Sequence, residues 1–188
     1  MRLTRHAVVI LSLALAACSG SGSSSLSTAD NNFVMQAAAG GVGEMTFGQM
    51  AMAKSSNPAV QNFAKQMVED HTGANKELVA IAGRKGVIPP TTLDPGRVNA
   101  NRQLSNLTGR EFDQQYMLQQ AQDHELQLAL FQQEAQAGLD PELRAFAAKY
   151  LPVVQAHAQM AQSVLTGVSE VVPTPASATA PAMRPRRR

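Results

Sequence analysis

The stretch that decides the fold is Asn57–Leu78, NPAVQNFAKQMVEDHTGANKEL. It begins with Asn-Pro, a helix start, because the Asn side chain can cap free N–H groups and Pro suits the first helical turn. Apolar residues then recur at steps of three and four, as they do on one face of a helix. His71 interrupts this apolar stripe. A titratable ring on a core-facing stripe needs a hydrogen-bond partner or a metal.

The same pattern returns later in the chain, where Pro141 and Phe146 correspond to Pro58 and Phe63 at an offset of 83 residues. A further helical stripe precedes each of these segments, beginning near residues 30 and 110. A connection of about twenty residues, 87–109, separates the two halves and contains a predicted short helix at about 98–107. The sequence therefore predicts an all-α protein, a four-helix bundle of two αα-hairpins joined by a long crossover.

The first predicted helix is unusually rich in glycine. Its expected inner stripe is Phe33, Ala37, Gly41, Glu44, Met45, Gly48 and Met52. Each glycine inside a helix costs about 1 kcal/mol relative to alanine. Four of them, Gly40, Gly41, Gly43 and Gly48, predict that a neighbouring helix or a bulky side chain lies against this one.

Composition supports a helical domain and argues against nucleic acid as a partner. Hydrophobic residues make up 44% of the 188 residues, and there is no Trp. The net charge is +2, but six of the 16 Lys and Arg residues lie at the two ends. Between Cys18 and Glu170 there are 10 Lys and Arg against 14 Asp and Glu, a net charge of −4. A mildly acidic domain lacks the basic surface that nucleic-acid binding requires.

The N-terminus has the form of a secretion signal, with Arg2 and Arg5 before a short apolar run. The run ends at Cys18, the only cysteine, in a sequence that resembles a bacterial lipobox. We expect residues 1–17 to be a lipoprotein signal peptide, Cys18 to be lipidated and residues 18–29 to be a flexible tether. Ser19 follows the cysteine, and in the Gram-negative lipoprotein pattern that this sequence resembles, the absence of Asp at that position implies the periplasmic side of the outer membrane. The alternative is an ordinary signal peptide that is cut after Ala17.

The predicted domain covers residues 30–167, and residues 168–188 are too polar and Pro-rich to fold. This tail ends in four arginines that can contact an anionic envelope polymer: Arg184, Arg186, Arg187 and Arg188. The alternative is a solvated tail without a partner.

Four segments carry a resemblance to a known family: AAAGGVGEM, FAKQMVEDH, FDQQY with its later DHE, and FAAKYLPVVQAH. They resemble an uncharacterised bacterial envelope family described as predicted outer-membrane proteins, with a domain of unknown function. The resemblance spans about residues 31–165. It implies a ferritin-like fold for the four-helix bundle, and it implies no established activity.

Each of the four long predicted helices carries, on its inner stripe, one residue of a type that can bind a metal ion. Glu44 and His71 lie 13 and 14 residues from Asn57, and His124 and His157 lie 16 and 17 residues from Asp140. At 1.5 Å per residue these distances put all four side chains near the middle of the bundle, within about 5 Å in height. We therefore predict a shared buried centre.

Two kinds of centre fit these residues. Three His and one Glu can bind one transition-metal ion, such as Zn²⁺, Cu²⁺ or Fe²⁺. Alternatively, each His hydrogen-bonds a carboxylate and no metal is present. Asp70 and Asp123 each precede a His, and we expect them to support the ligands from behind or to lie at the surface. The positions three before the histidines are Val68, Ala121 and Val154, so the pattern does not favour a di-iron site.

The sequence leaves two functions open. One is a non-enzymatic, lipid-anchored helical interaction module with a buried His/carboxylate cluster. The other is a metal-binding bundle for storage, sensing or stress protection. We expect no catalytic residues, because no Ser or Cys lies at a sequence spacing from a histidine that is typical of a nucleophile and its base.

Overall fold

The computed structural model describes residues 26–170, which fold as five α-helices without a strand in that range. The helices are α1 (Thr28–Lys54), α2 (Pro58–Arg84), α3 (Pro95–Ser105), α4 (Gly109–Ala137) and α5 (Pro141–Glu170). The all-α prediction is confirmed, and so is the short helix in the crossover, although it begins three residues earlier than expected. The signal segment, Cys18 and the terminal arginines lie outside the described residues.

The two helix starts predicted from Asn-Pro and Asp-Pro are present with their caps. The Asn57 side chain accepts a hydrogen bond from the backbone N–H of Ala59 at 2.9 Å. The Asp140 side chain accepts from the backbone N–H groups of Glu142 and Leu143 at 3.0 and 3.1 Å. These caps satisfy donors that have no partner inside the helix, so they fix where α2 and α5 begin.

The long helices pack as two hairpins, α1 against α2 and α4 against α5, with further contacts between α1 and α4 and between α2 and α5. The hairpin turns lie at opposite ends. Lys54, at the end of α1, donates to the Ser105 carbonyl just before α4, whereas Lys85, at the end of α2, pairs with Asp140 just before α5. The crossover must therefore travel the length of the bundle, as its length predicted.

Two apolar clusters fill the bundle. One contains Phe47, Phe63, Met67 and Tyr116, and the other lies around Phe33, Phe131 and Phe146. On every long helix the predicted site residue comes between residues of the two clusters: for example, His71 lies between Met67 and Leu78. The polar centre is therefore a layer between two apolar halves.

The predicted inner stripe of α1 is correct from Phe33 to Gly48, except that Met45 is only half-buried. The last residue of the stripe, Met52, is 42% exposed, and Ala51 takes the inner position instead. Gly41 and Gly48 form the edge of α1 that packs against α2. Met45 and Met52 lie farther round the helix, on the side toward solvent. A Cβ on Gly48 would lie 2.9 Å from the Ala64 carbonyl oxygen, so this glycine permits the predicted close approach.

Among helices α1–α5, none combines the length and the apolar character that a bilayer crossing requires.

Candidate metal centre

Three imidazoles from three helices meet at the centre of the bundle. His71 of α2, His124 of α4 and His157 of α5 each offer one ligand atom, and these atoms lie within 4.8 Å of one another. The ring centroids are 5.5–5.9 Å apart. His124 and His157 are buried and His71 is half-buried. The structure thus brings together the three histidines that the sequence had placed at one height.

Each histidine has one ring nitrogen that is buried and has no hydrogen-bond partner: Nε2 of His71, Nε2 of His124 and Nδ1 of His157. The other nitrogen is engaged in two of the rings. Nδ1 of His124 lies 2.9 Å from the Gln120 carbonyl oxygen, and Nε2 of His157 lies 2.8 Å from Oδ2 of Asp70.

These two contacts fix the tautomers. A carbonyl or carboxylate oxygen can only accept, so Nδ1 of His124 and Nε2 of His157 carry the protons and donate them. In the neutral rings, Nε2 of His124 and Nδ1 of His157 then keep their lone pairs. Metal-binding histidines typically donate their second N–H to a carboxylate or a backbone carbonyl in this way.

Burial favours the neutral form of two of these rings. It lowers the pKa of His71 well below its usual value of 6.5, and the neighbouring His124 and His157 lower it further. Burial also lowers the pKa of His157, although the hydrogen bond to Asp70 opposes that change. A neutral imidazole is the form that binds a metal, so these surroundings prepare the rings to act as ligands near neutral pH.

Glu44 is buried in the same part of the bundle but is not a member of the three-histidine group. Its Oε2 has no hydrogen-bond partner. Burial raises the pKa of Glu44 most strongly, the charge of His124 lowers it, and the charge of Asp123 raises it again. The nearby Gln120 amide also lowers this pKa, although it lies beyond ordinary hydrogen-bond distance of Glu44. Glu44 therefore lies within electrostatic reach of His124, and its carboxylate is not among the grouped ligand atoms.

The two aspartates that precede a histidine differ in their surroundings. Asp70 accepts a hydrogen bond from His157 across the bundle and another from Gln66. Asp123 is half-buried and accepts from Gln119 on its own helix. Asp70 thus holds the ring of His157 through its second nitrogen, whereas Asp123 lies near the surface of the bundle.

Sequence reasoning assigned no site role to Gln120 and Tyr116, which lie one and two turns before His124 on α4. Both are fully buried, and both amide atoms of Gln120 and the hydroxyl of Tyr116 have no hydrogen-bond partner. The signal that could have revealed Gln120 was its position on the inner stripe, where an amide side chain is unusual.

An all-helical bundle with an imidazole cluster between two apolar halves defines the structural class of this protein. The chain belongs to the family described as Domain of unknown function (DUF4142), which matches residues 16–164. It is also similar to a solved structure, the crystal structure of a DUF305 fragment from Deinococcus radiodurans. The TM-score is 0.66 at 15% identity, over 76% of this chain and 99% of that one. This likeness shows a shared fold. No curated protein matches the chain at a significant level.

The lowered pKa values predict that acid destabilises the metal-free protein. Below pH 6.5 the unfolded chain binds protons at these histidines that the folded chain does not bind, so the free energy of unfolding falls as the pH falls. Replacing His71 by Gln removes one such group. Denaturant unfolding in the presence of a chelator should show that the free energy of unfolding falls more in wild type than in His71→Gln between pH 7.5 and 5, by at most about 2 kcal/mol, the limit set by the ordinary pKa of 6.5. Equal losses in the two proteins would show that His71 is not held in its neutral form.

Proposed function

We propose that this protein binds one transition-metal ion through His71, His124 and His157. The observation that carries the proposal is the set of three buried, unpartnered ring nitrogens at one level of the bundle. A buried polar atom without a partner costs about 1–3 kcal/mol. One metal ion would satisfy all three atoms at once, whereas a metal-free His/carboxylate network accounts only for the Asp70 bond of His157.

The separation of the ligand atoms supports a site that closes slightly on binding. Two nitrogens on one tetrahedral Zn²⁺ ion, each at about 2.0–2.1 Å, lie about 3.3 Å apart. The three nitrogens here lie within 4.8 Å of one another. Each ring therefore needs to move inward by less than about 1 Å, which small side-chain rotations can supply.

Charge also supports the proposal. Three neutral imidazoles leave the charge of a divalent cation uncompensated, and an isolated charge is costly to bury. Asp70 lies behind His157, and Glu44 lies beside His124. Together these two carboxylates can balance the ion without a large change in the fold. Imidazole ligands suit Zn²⁺, Cu²⁺ and Fe²⁺.

One ion per chain suits sensing or protective sequestration rather than bulk storage. A storage bundle of the ferritin type carries several inner carboxylates on facing helices. Here the inner carboxylate beside the histidines is Glu44. We also infer a ferritin-like relationship, which is supported by the crossover that joins α2 to α4 along the length of the bundle.

We further propose that the protein works at the cell envelope, held on the periplasmic side of the outer membrane by acyl chains on Cys18. The support is the lipobox-like sequence before Cys18 and the Gly/Ser-rich segment that links it to α1. The envelope would expose the bundle to metal ions that enter from outside. The terminal arginines would add contacts with anionic envelope polymers.

Metal analysis tests the central proposal. Full-length protein purified without a histidine tag and incubated with Zn²⁺, Cu²⁺ or Fe²⁺ should retain about one ion per chain of at least one of these metals. His71→Ala and His157→Ala should each lose most of that metal, because two imidazoles bind far more weakly than three. Glu134→Gln is the control, since Glu134 is a buried α4 residue beside Asp30 at the bundle end. Wild-type protein that retains none of the three metals would refute the proposal.

A matched pair of aspartates tests whether the hydrogen bond behind His157 matters. Both precede a histidine, but only Asp70 is bonded to one in the structure. We expect Asp70→Asn to weaken metal affinity by about 10–100-fold, as loss of such a support usually does. Asp123→Asn should change it by much less. Competition titration with a chromophoric chelator measures both, and equal effects would argue against the positioning role of Asp70.

Membrane fractionation tests the anchor. A multiply acylated cysteine gains about 0.8 kcal/mol for each buried methylene, so it should hold the protein in the membrane fraction. Cys18→Ser should release the protein into the soluble periplasmic fraction, and Ser23→Ala in the tether should leave the distribution as in wild type. Unchanged fractionation of Cys18→Ser would contradict the anchor and leave the metal site untouched.

A further inference from the structure

Glu44 faces the layer of the three histidines, and the packing of α1 shows this independently of any charge effect. Gly41 packs against Asn75 and Gly48 against Val68, both on α2. Because α1 and α2 are antiparallel, Glu44 lies opposite the stretch between Val68 and Asn75, which contains His71.

The neighbouring contact with α4 gives the same height. Gly40 packs against Gln127, and Lys54 lies over the ring of Phe112, 5.6 Å from its centroid. Gly40 is therefore level with Gln127. Since α1 and α4 are antiparallel, Glu44, one turn later in α1, is level with residues about one turn earlier in α4, close to His124. Its position around α1 falls between Gly40, which faces α4, and Gly41, which faces α2. The side chain therefore points toward the axis of the bundle.

Several polar atoms beside Glu44 have no partner. They are Oε2 of Glu44, both amide atoms of Gln120 and the hydroxyl of Tyr116, and all of them are buried. Tyr116 belongs to the apolar cluster of Phe47, Phe63 and Met67, so its hydroxyl is surrounded largely by apolar side chains. Buried donors and acceptors of this kind suit a bound water or a similar small ligand, which itself needs two to four polar partners.

Taking the proposed metal site as given, we propose that the metal keeps an exchangeable position on its α1/α4 side, next to Glu44. This position takes a small monodentate ligand such as water, hydroxide or azide. The three histidines supply three ligands, and a zinc-type site with three protein ligands leaves the fourth position to water or another small molecule. Glu44 and Gln120 lie where they can hydrogen-bond that ligand.

A groove gives a small ligand a way toward this position. It lies on the outer side of the bundle, has a volume of about 510 Å³, and is lined by Gln36, Arg97, Asp123 and Gln127, among others. Gly43 leaves room for the Arg97 side chain, which a Cβ there would approach to 2.8 Å. Arg97 lines the groove and packs against Gly43, which directly precedes Glu44 in α1, so the groove ends one residue away from Glu44.

The Co²⁺-loaded full-length protein provides the test, because the visible absorption of Co²⁺ reports its ligands. Azide is the probe, and its affinity is compared in wild type, Glu44→Gln and the control Glu134→Gln. Replacing Glu44 by the uncharged amide removes a negative charge beside the bound anion. Azide should then bind Glu44→Gln at least about tenfold more tightly than wild type, as expected for two charges a few ångströms apart at a partly screened site. The control should bind azide as wild type does.

Other results overturn the proposal. If azide leaves the spectrum unchanged in both wild type and Glu44→Gln, the metal has no exchangeable position. Equal azide affinities in the three proteins would place that position away from Glu44. Loss of Co²⁺ from Glu44→Gln, with retention in Glu134→Gln, would make Glu44 a metal ligand instead. Failure of wild type to bind Co²⁺, Zn²⁺, Cu²⁺ or Fe²⁺ would refute the metal site itself.

Discussion

The structure depends on the burial of three imidazoles at one level of an apolar helical bundle. Each ring brings a nitrogen into the core, and in the described residues no side chain or backbone group pairs with that nitrogen. Apolar side chains of similar volume would avoid the cost of about 1–3 kcal/mol for each such atom. The arrangement becomes favourable when one guest satisfies all three nitrogens, and a metal ion is the guest whose chemistry matches them.

The fold supplies the precision that such a guest requires. The two hairpin turns lie at opposite ends, so the register of α1 against α2 is set independently of the register of α4 against α5. Contacts between the hairpins then align the two halves: Asp70 with His157 at the centre, and Glu77 with Lys149 and Tyr150 farther along α2 and α5. The apolar clusters on both sides lower the local dielectric constant and so strengthen electrostatic interactions in the layer.

Much of this arrangement could be predicted from the sequence, because periodicity and helix starts are local signals. The Asn-Pro and Asp-Pro starts fixed the beginnings of α2 and α5, and counting from them placed the histidines at one height. What could not be predicted depends on rotation about the helix axis and on partners across the bundle. Met52 was expected inside and is exposed, because Gly41 and Gly48 form the edge of α1 that faces α2 and Met52 lies farther round the helix. The choice of Asp70 over Asp123 as a histidine partner depends on how α2 faces α5, which spacing alone does not determine.

X-ray absorption spectroscopy of the zinc-loaded protein tests the central claim most directly, because it counts the imidazoles around the ion. Three imidazole ligands with Zn–N distances of about 2.0–2.1 Å are expected. A spectrum with at most one imidazole, or one dominated by oxygen ligands, would contradict the claim, because the ion would then be bound somewhere other than the layer of His71, His124 and His157.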